Sequence, residues 1–381
     1  MIPVAQTVSD LFDPELRATG QLPVEVHCHG FGPVDFSDLG ALDLDQLEAA
    51  CVAEGACVIP ALYLHRDSLA AFEAMMGTYA VRRADGELRH IVGIALEGPL
   101  LASHGGTPAA TVWLPTRREW ERLAAAGQQG LVYTVMSPDA FAEGSGLAGE
   151  VDASTPRFED FVPLLVSSGV RPALGHFTRT DPSRSAALVE QVIDLAWQSG
   201  WTGPGLPVVT DHLFNDMPLA IRHAFRTRKA RAERDETIAS YRLTEWTMDR
   251  ADEILGPVPA AIMRNAGAGR IAACINFDGE HVDLDIAKRA IELMGTENTM
   301  IMTDRCDSAR LGRQHLHHEA ENTLWYQQDG VVAAGSQPLS LQVTNAREHG
   351  FRDDEIWQLV AGTAHRVFGF PGAEEVVDGY R

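Results

Sequence analysis

The sequence predicts an α/β protein, a (β/α)8 barrel of the TIM type, from three observations. Eight short apolar, β-branched runs recur along the chain: 24–30 (VEVHCHG), 56–63 (ACVIPALY), 91–98 (IVGIALEG), 131–138 (LVYTVMSP), 170–177 (VRPALGHF), 207–214 (PVVTDHLF), 270–279 (RIAACINFDG) and 298–307 (NTMIMTDRCD). Amphipathic Ala/Leu/Glu-rich segments separate them, giving strand–helix alternation. Five of the runs also end in a metal-ligand type of residue. His27 and His29 close the first, Glu97 the third, His176 the fifth, His212 the sixth and Asp304 the eighth. A closed parallel barrel assembles its chemistry at the C-terminal ends of its strands, where residues far apart in sequence meet.

The runs are apolar throughout rather than alternating, as expected for a parallel sheet covered by helices. The segments 43–54, 66–83, 116–126, 157–168, 184–199, 283–295 and 353–368 carry apolar residues near helical spacing. Strand-to-strand offsets are mostly on the order of 30–40 residues, one β/α unit. Residues 1–23 read as an N-terminal extension and 24–381 as the barrel, with a helical insertion at about 215–269. That insertion holds IRHAFRTRKARAERDETIASYRLTEW, with Arg222, Arg226, Arg228, Lys229, Arg231 and Arg234. It is either a solvated helix face or a lid or subunit contact presenting arginine to an anionic substrate group, with Arg222 and Arg228 as candidate contacts. Segment 99–115 has the Gly/Pro content of a shaped loop, and 142–150 reads as a flexible connection. His315, His317 and His318 lie past the last strand in a stretch that reads as helical, and they receive no role.

With 381 residues and 45% hydrophobic content, the chain can bury one large core. Its net charge of −22 excludes a nucleic-acid footprint, because phosphate backbones repel an acidic surface. A few local arginines still permit a small anionic substrate. The five cysteines form no C-x-x-C pair and are expected to be free thiols. The opening residues show no basic region leading into an apolar stretch, and no apolar run reaches the roughly 20 residues of a membrane span. The expectation is a cytoplasmic protein that binds neither membrane nor nucleic acid.

Strand residues two apart share a side, so His27 and His29 can both face the barrel axis while Cys28 points away. Glu97 follows five apolar residues and needs a cation or a hydrogen-bond cage if buried. Together with His176 and His212 it makes a Glu/His/His set suited to a divalent ion with an open position for water. Asp304 is open to two compatible roles, ligand of a second ion or general acid/base. A bound ion lowers the pKa of water to about 7 and polarises a carbonyl, which points to hydrolysis of an amide or related C–N bond. His281, in FDGEHVD, is on the same rim and is read as a substrate contact or oxyanion stabiliser, against a plain surface histidine.

In order, V-H-C-H-G at 26–30, L-E-G-P at 96–99, G-H at 175–176, H-L-F-N-D-M at 212–217, D-G-E-H-V at 278–282, T-D at 303–304 and A-G-S at 334–336 resemble the amidohydrolase superfamily. Within it, the likeness is to N-acetylglucosamine-6-phosphate deacetylases, from residue 24 onward. The resemblance implies a distorted (β/α)8 barrel, a homodimer and a small-molecule substrate. It implies Glu97, His176 and His212 at a main metal, His27 and His29 at a second site, Asp304 as acid/base, and His281 at the scissile carbonyl. Asn215 would sit beside the substrate's phosphate, with Thr107 and Ser336 as further substrate-side positions. Three departures stand out. The family's flanking β-sandwich is expected to be absent, its G-A-H reads Gly105-Gly106-Thr107, and its arginine-bearing stretch after H-L-F-N-A-M is replaced by the basic segment of 222–234.

The leading expectation is a metal-dependent deacetylase for N-acetylglucosamine-6-phosphate or a related N-acyl amino sugar. A biosynthetic amidohydrolase (amidase, deaminase or N-acyl amino-acid hydrolase) and a non-hydrolytic binding barrel are the alternatives. Histidine and carboxylate ligands suit one or two ions of zinc, and also iron, manganese, nickel or cobalt.

Overall fold

In the computed structural model, which describes residues 7–370, every one of the apolar runs supplies a strand. These are β1 Val24–Cys28, β2 Cys57–Leu62, β3 Ile94–Glu97, β4 Leu131–Met136, β5 Arg171–Leu174, β6 Val209–His212, β7 Ala272–Asn276 and β8 Thr299–Met302. Each pairs in parallel with the next, in sequence order. The seam between first and last closes just beyond β8, where the Asp304 amide donates to the His27 carbonyl at 3.1 Å and the His29 amide to Arg305 at 2.7 Å. The fold is therefore a (β/α)8 barrel whose rim is closed by backbone hydrogen bonds between the ends of its first and last strands.

Helices α1 Leu44–Glu54, α2 Leu69–Ala84, α3 Arg117–Ala125, α4 Phe158–Ser167, α5 Pro182–Gln198, α6 Pro257–Gly267 and α7 Leu284–Met294 fill the intervals. Their ends carry local signals. Asp43, Thr116, Asp181 and Asp283 accept hydrogen bonds from backbone amides of the first turns of α1, α3, α5 and α7. Apolar side chains divide between two layers. Val24, Val26, Ile59, Ala95, Val135, Val209 and Met300 pack inside the barrel. Leu62, Leu96, Met136 and Leu174 face the helices together with Leu47, Trp120 and Val192.

Two of the barrel's three register breaks place the extra residue on a strand that carries a site residue. Between Glu25 and Cys28 on β1, and between Val209 and His212 on β6, three steps oppose two on the neighbouring strand. Such an extra residue re-aims the side chains that follow it. Val26 and His27, neighbours in sequence, both turn inward, while Cys28 packs among the helices.

The basic stretch is less helical than its composition suggests. Residues 215–227 are irregular, and the chain then forms the short helices Arg228–Ala232, Arg234–Tyr241 and Ala251–Leu255 before α6 resumes the barrel pattern. Ion pairs hold it down: Arg234 to Asp283 (2.7 Å) and Asp285 (2.7 Å), and Arg222 to Glu233 (3.2 Å). The histidine tract is likewise extended, not helical. Gln314–His315 pairs back on Arg310–Leu311, and His317–His318 joins a three-stranded ribbon with Trp325–Tyr326 and Val332–Ala334. His318 stacks on Trp325 with centroids 3.5 Å apart, a cross-strand contact that overrides local helix preference.

Besides the barrel and these ribbons, the antiparallel pair of Gly30–Phe31 with Val34–Asp35 completes the sheets among the described residues, so no flanking sandwich is formed there. Of the N-terminal extension, Val8 and Phe12 are buried, and Phe12 packs edge-on against Trp357. Residues 1–6 of that extension and 371–381 of the barrel segment lie outside the described region. All five cysteines are unpaired and buried. No described helix is long and apolar enough to cross a membrane.

Candidate metal centre and active site

Seven side chains from β1, β3, β6 and the ends of β5 and β8 converge at the C-terminal mouth. Glu97 stands between two groups. Its Oε2 lies 2.9 Å from His27 Nε2 and 3.1 Å from His29 Nε2, and its Oε1 lies 3.2 Å from His176 Nε2. Asp304 Oδ1 joins the first group at 3.2 Å from His29 Nε2. Asp211 Oδ2 joins the second at 3.2 Å from His176 Nε2 and 3.3 Å from His212 Nε2. Asp211 is the residue that strand periodicity misses. Regular alternation sends two neighbours to opposite sides, and only the extra residue in β6 admits both Asp211 and His212.

The outer contacts of the rings set their tautomers. His29 Nδ1 faces the Ala61 carbonyl at 3.0 Å, and His176 Nδ1 faces the Ser103 carbonyl at 3.1 Å and the Asp216 carboxylate at 3.1 Å. These partners only accept, so Nδ1 carries the proton. His27 Nδ1 meets the Tyr133 hydroxyl at 3.0 Å, whose own proton is donated to the Val26 carbonyl at 2.7 Å. In all three rings the remaining Nε2 points at carboxylates. Lone pair against anion is repulsive unless a positive charge lies between them. The Tyr63 hydroxyl also reaches His29 Nε2, at 3.0 Å.

The electrostatics repeat this demand. Burial would lower the pKa of His29 and His176, yet the facing carboxylates, Glu97 foremost for His29 and Asp211 for His176, raise both well above the ordinary value. Burial would raise Glu97, but His29, His176 and His27 hold it well below the carboxylate range. The His176 Nε2 atom and both Asp211 oxygens are buried without a hydrogen-bond partner. Ligands about 2.1 Å from a four-coordinate ion lie about 3.4 Å from one another, the spacing seen here. The residues fit one or two divalent cations.

A cavity of about 190 Å³ opens above them, lined by Glu97, His176, His212 and Asp304 together with Asn215, His281, His223, Arg226 and Arg179. His281 is fixed by Asp278, whose Oδ2 lies 2.6 Å from Nδ1, and its Nε2 stands 3.6 Å from Asp304 Oδ2. Burial would lower the His281 pKa, but Asp278 and then Asp304 raise it, which favours an Nε2–H donor. Asn215 donates to Asn276 Oδ1 at 3.0 Å while remaining on the cavity wall. Backbone strain concentrates here as well. His176, Phe214, Asp216 and Asp304 all have positive φ, between 38° and 74°.

Other substrate-side positions sit differently from expectation. Thr107 is fully buried and donates its hydroxyl to Glu97 Oε1 instead of lining the cavity. The preceding Gly106 packs so closely that a Cβ would come 2.6 Å from the Val332 carbonyl, so the loop accepts no larger residue there. Ser336 donates to the Thr323 carbonyl at 2.5 Å, away from the cavity. Arg222 lies over the Phe225 ring and pairs with Glu233, and the Arg228 side chain is 91% exposed. Neither reaches the cavity. Arg226 does, its Nε held by the Glu280 carbonyl at 2.9 Å, because the irregular backbone before the short helices turns that side chain inward. Burial and the Arg226 charge push the pKa of neighbouring His223 down to about 3, so this wall is a cation beside a neutral ring.

No known family matches the chain by sequence, and no curated protein matches it either. Solved structures do. An N-acetylglucosamine-6-phosphate deacetylase from Mycobacterium smegmatis, an Asp-to-Ala variant in complex with N-acetyl-D-glucosamine-6-phosphate, is 19% identical with a TM-score of 0.61, covering 92% of this chain and 78% of its own. The corresponding enzymes from Pasteurella multocida (15%, 0.61, 93% and 78%) and Thermotoga maritima (14%, 0.63, 92% and 79%) align equally. The fold is that of the N-acetylglucosamine-6-phosphate deacetylases. The likeness to this deacetylase fold extends over more than nine-tenths of the chain.

Proposed function

We propose that this protein is a metal-dependent deacetylase acting on N-acetylglucosamine-6-phosphate or a closely related anionic N-acyl amino sugar. The observation that carries this reading is the position of Asp304. One of its oxygens belongs to the His27/His29/Glu97 group, and the other faces His281 across the cavity. A bound divalent ion, zinc in the first instance, supplies Lewis acidity to the scissile carbonyl and acidifies the attacking water. Asp304 takes the water's proton and returns it to the departing nitrogen. His281, held by Asp278, donates from Nε2 to the carbonyl oxygen as negative charge develops there. Asn215 orients the sugar, and Arg226 with Arg179 meets the anionic group at the cavity wall. The family likeness also brings a homodimer into this reading, and the free cysteines fit a cytoplasmic setting.

A second reading, a different small anionic amide such as an N-acyl amino acid, is favoured by Thr107. It binds Glu97 where the deacetylase pattern has a sugar-reading histidine. Steady-state hydrolysis of N-acetylglucosamine-6-phosphate, N-acetylglucosamine and a series of N-acetyl amino acids separates the two. The first reading expects the phosphosugar to have the highest kcat/KM, and Arg226→Ala to raise its KM by about tenfold or more while Arg222→Ala does not. Faster turnover of an N-acetyl amino acid overturns it.

A further inference from the structure

Neither strand periodicity nor the resemblance gives a role to Asp211. It lies inside the barrel with a side chain 0% exposed, and neither of its oxygens has a hydrogen-bond donor. Its neighbours are three imidazole nitrogens: His176 Nε2 at 3.2 Å, His212 Nε2 at 3.3 Å and His27 Nδ1 at 3.6 Å. The His27 Nδ1 proton is directed to Tyr133, and His176 Nδ1 holds that ring's proton on its far side. Asp211 therefore faces the unprotonated Nε2 of His176 with no hydrogen bond to either of its oxygens, an arrangement that a dry interior does not tolerate without a cation.

The barrel is built to admit this group. A Cβ on Gly175 would come 2.6 Å from the Asp211 Cβ, so the residue before His176 has no side chain where the aspartate sits. The extra residue in β6 brings His212 inward alongside it. Space, register and missing donors all converge on one carboxylate.

We infer that Asp211 is a direct ligand of a divalent cation, completing a site with His176 and His212 that adjoins the Glu97 carboxylate. This rests on the metal-dependent reading above and adds an anionic ligand to it. A second carboxylate beside two neutral imidazoles neutralises a first-row divalent ion and tightens its hold.

The test uses the full chain stripped of metal and titrated with cobalt(II), with bound ions counted by elemental analysis after dialysis. Asp211→Asn keeps the side-chain shape and removes the charge. The expected result is loss of one cobalt ion per chain, or at least about a hundredfold weaker binding of it. A variant that binds as many ions as the parent, with affinity within threefold, overturns the inference. Should Asp211→Asn fail to fold, Asp211→Cys decides. A thiolate-to-cobalt charge-transfer band absent from the parent is expected, and a folded, cobalt-loaded Asp211→Cys without it refutes direct ligation. A parent protein that takes up no divalent ion at all instead removes the metal-dependent reading itself, so the two failures are distinct.

Discussion

At the scale of single residues, the site depends on where protons are held. Ala61, Ser103, Asp216 and Tyr133 fix Nδ1 of three histidines, so the opposite nitrogens converge as acceptors. Asp304 is the group that joins this cluster to the cavity, and its role can be isolated by removing only its basicity. Asp304→Asn is expected to lower kcat by about 10²–10⁴-fold while at least one ion per chain is retained. Parallel measurement of turnover and metal content checks this. Near-parental turnover would give the proton transfer to another group. Each converging residue at a strand end was legible in the sequence, because a polar residue closing an apolar run has few reasons to be there. Asp211 was not, since it precedes a histidine already read as the inward residue.

At the scale of elements, capping and turn contacts keep the strand ends in register. The α1 residue Glu48 accepts from the amides of Arg89 (2.9 Å), His90 (3.0 Å) and Ile91 (3.2 Å), and from His90 Nδ1 (2.7 Å). It thereby anchors the turn that leads into β3 and so to Glu97. Burial would raise its pKa, but the His90 side chain and amide outweigh this and lower it from 4.5. A carboxylate with a depressed folded-state pKa contributes fully above its unfolded value, and the contribution fades as pH falls through the folded one. Glu48→Gln is accordingly expected to cost about 2 kcal/mol at pH 7, a figure kept low for its partial exposure. In denaturant unfolding, the gap from the parent should close below about pH 4.5. A gap that is constant with pH would show that shape, not charge, matters at this turn. The insertion teaches a related lesson. Its charge density resembled one long helix, yet ion pairs to Asp283, Asp285 and Glu233 set its path and left Arg226, not Arg222 or Arg228, at the cavity.

For the whole molecule, the closed ring of strands gathers the buried carboxylates Glu97, Asp211 and Asp304 at its mouth, within a chain already at net charge −22. A cation held between them would offset their mutual repulsion and so add to folding stability. An ion present at a hundredfold its Kd adds about 2.7 kcal/mol, and removal by a chelator is expected to lower Tm by about 3 °C. Thermal unfolding with and without chelator, followed by readdition of zinc or manganese, measures this. An unchanged Tm with the ions demonstrably removed would detach the metal from stability.

The sequence by itself determined the barrel, its strand count and six of the seven converging side chains, because run length and the residue that ends a run are local properties. Only the tertiary structure decided that Asp211 and His212 enter together, that Thr107 supports Glu97, and that Arg226 is the basic residue of the 222–234 segment on the cavity wall. The physical reason is that register, ring tautomer and loop path are fixed by neighbours tens to hundreds of residues away, through an extra residue in one strand, a carbonyl on another and ion pairs across the rim.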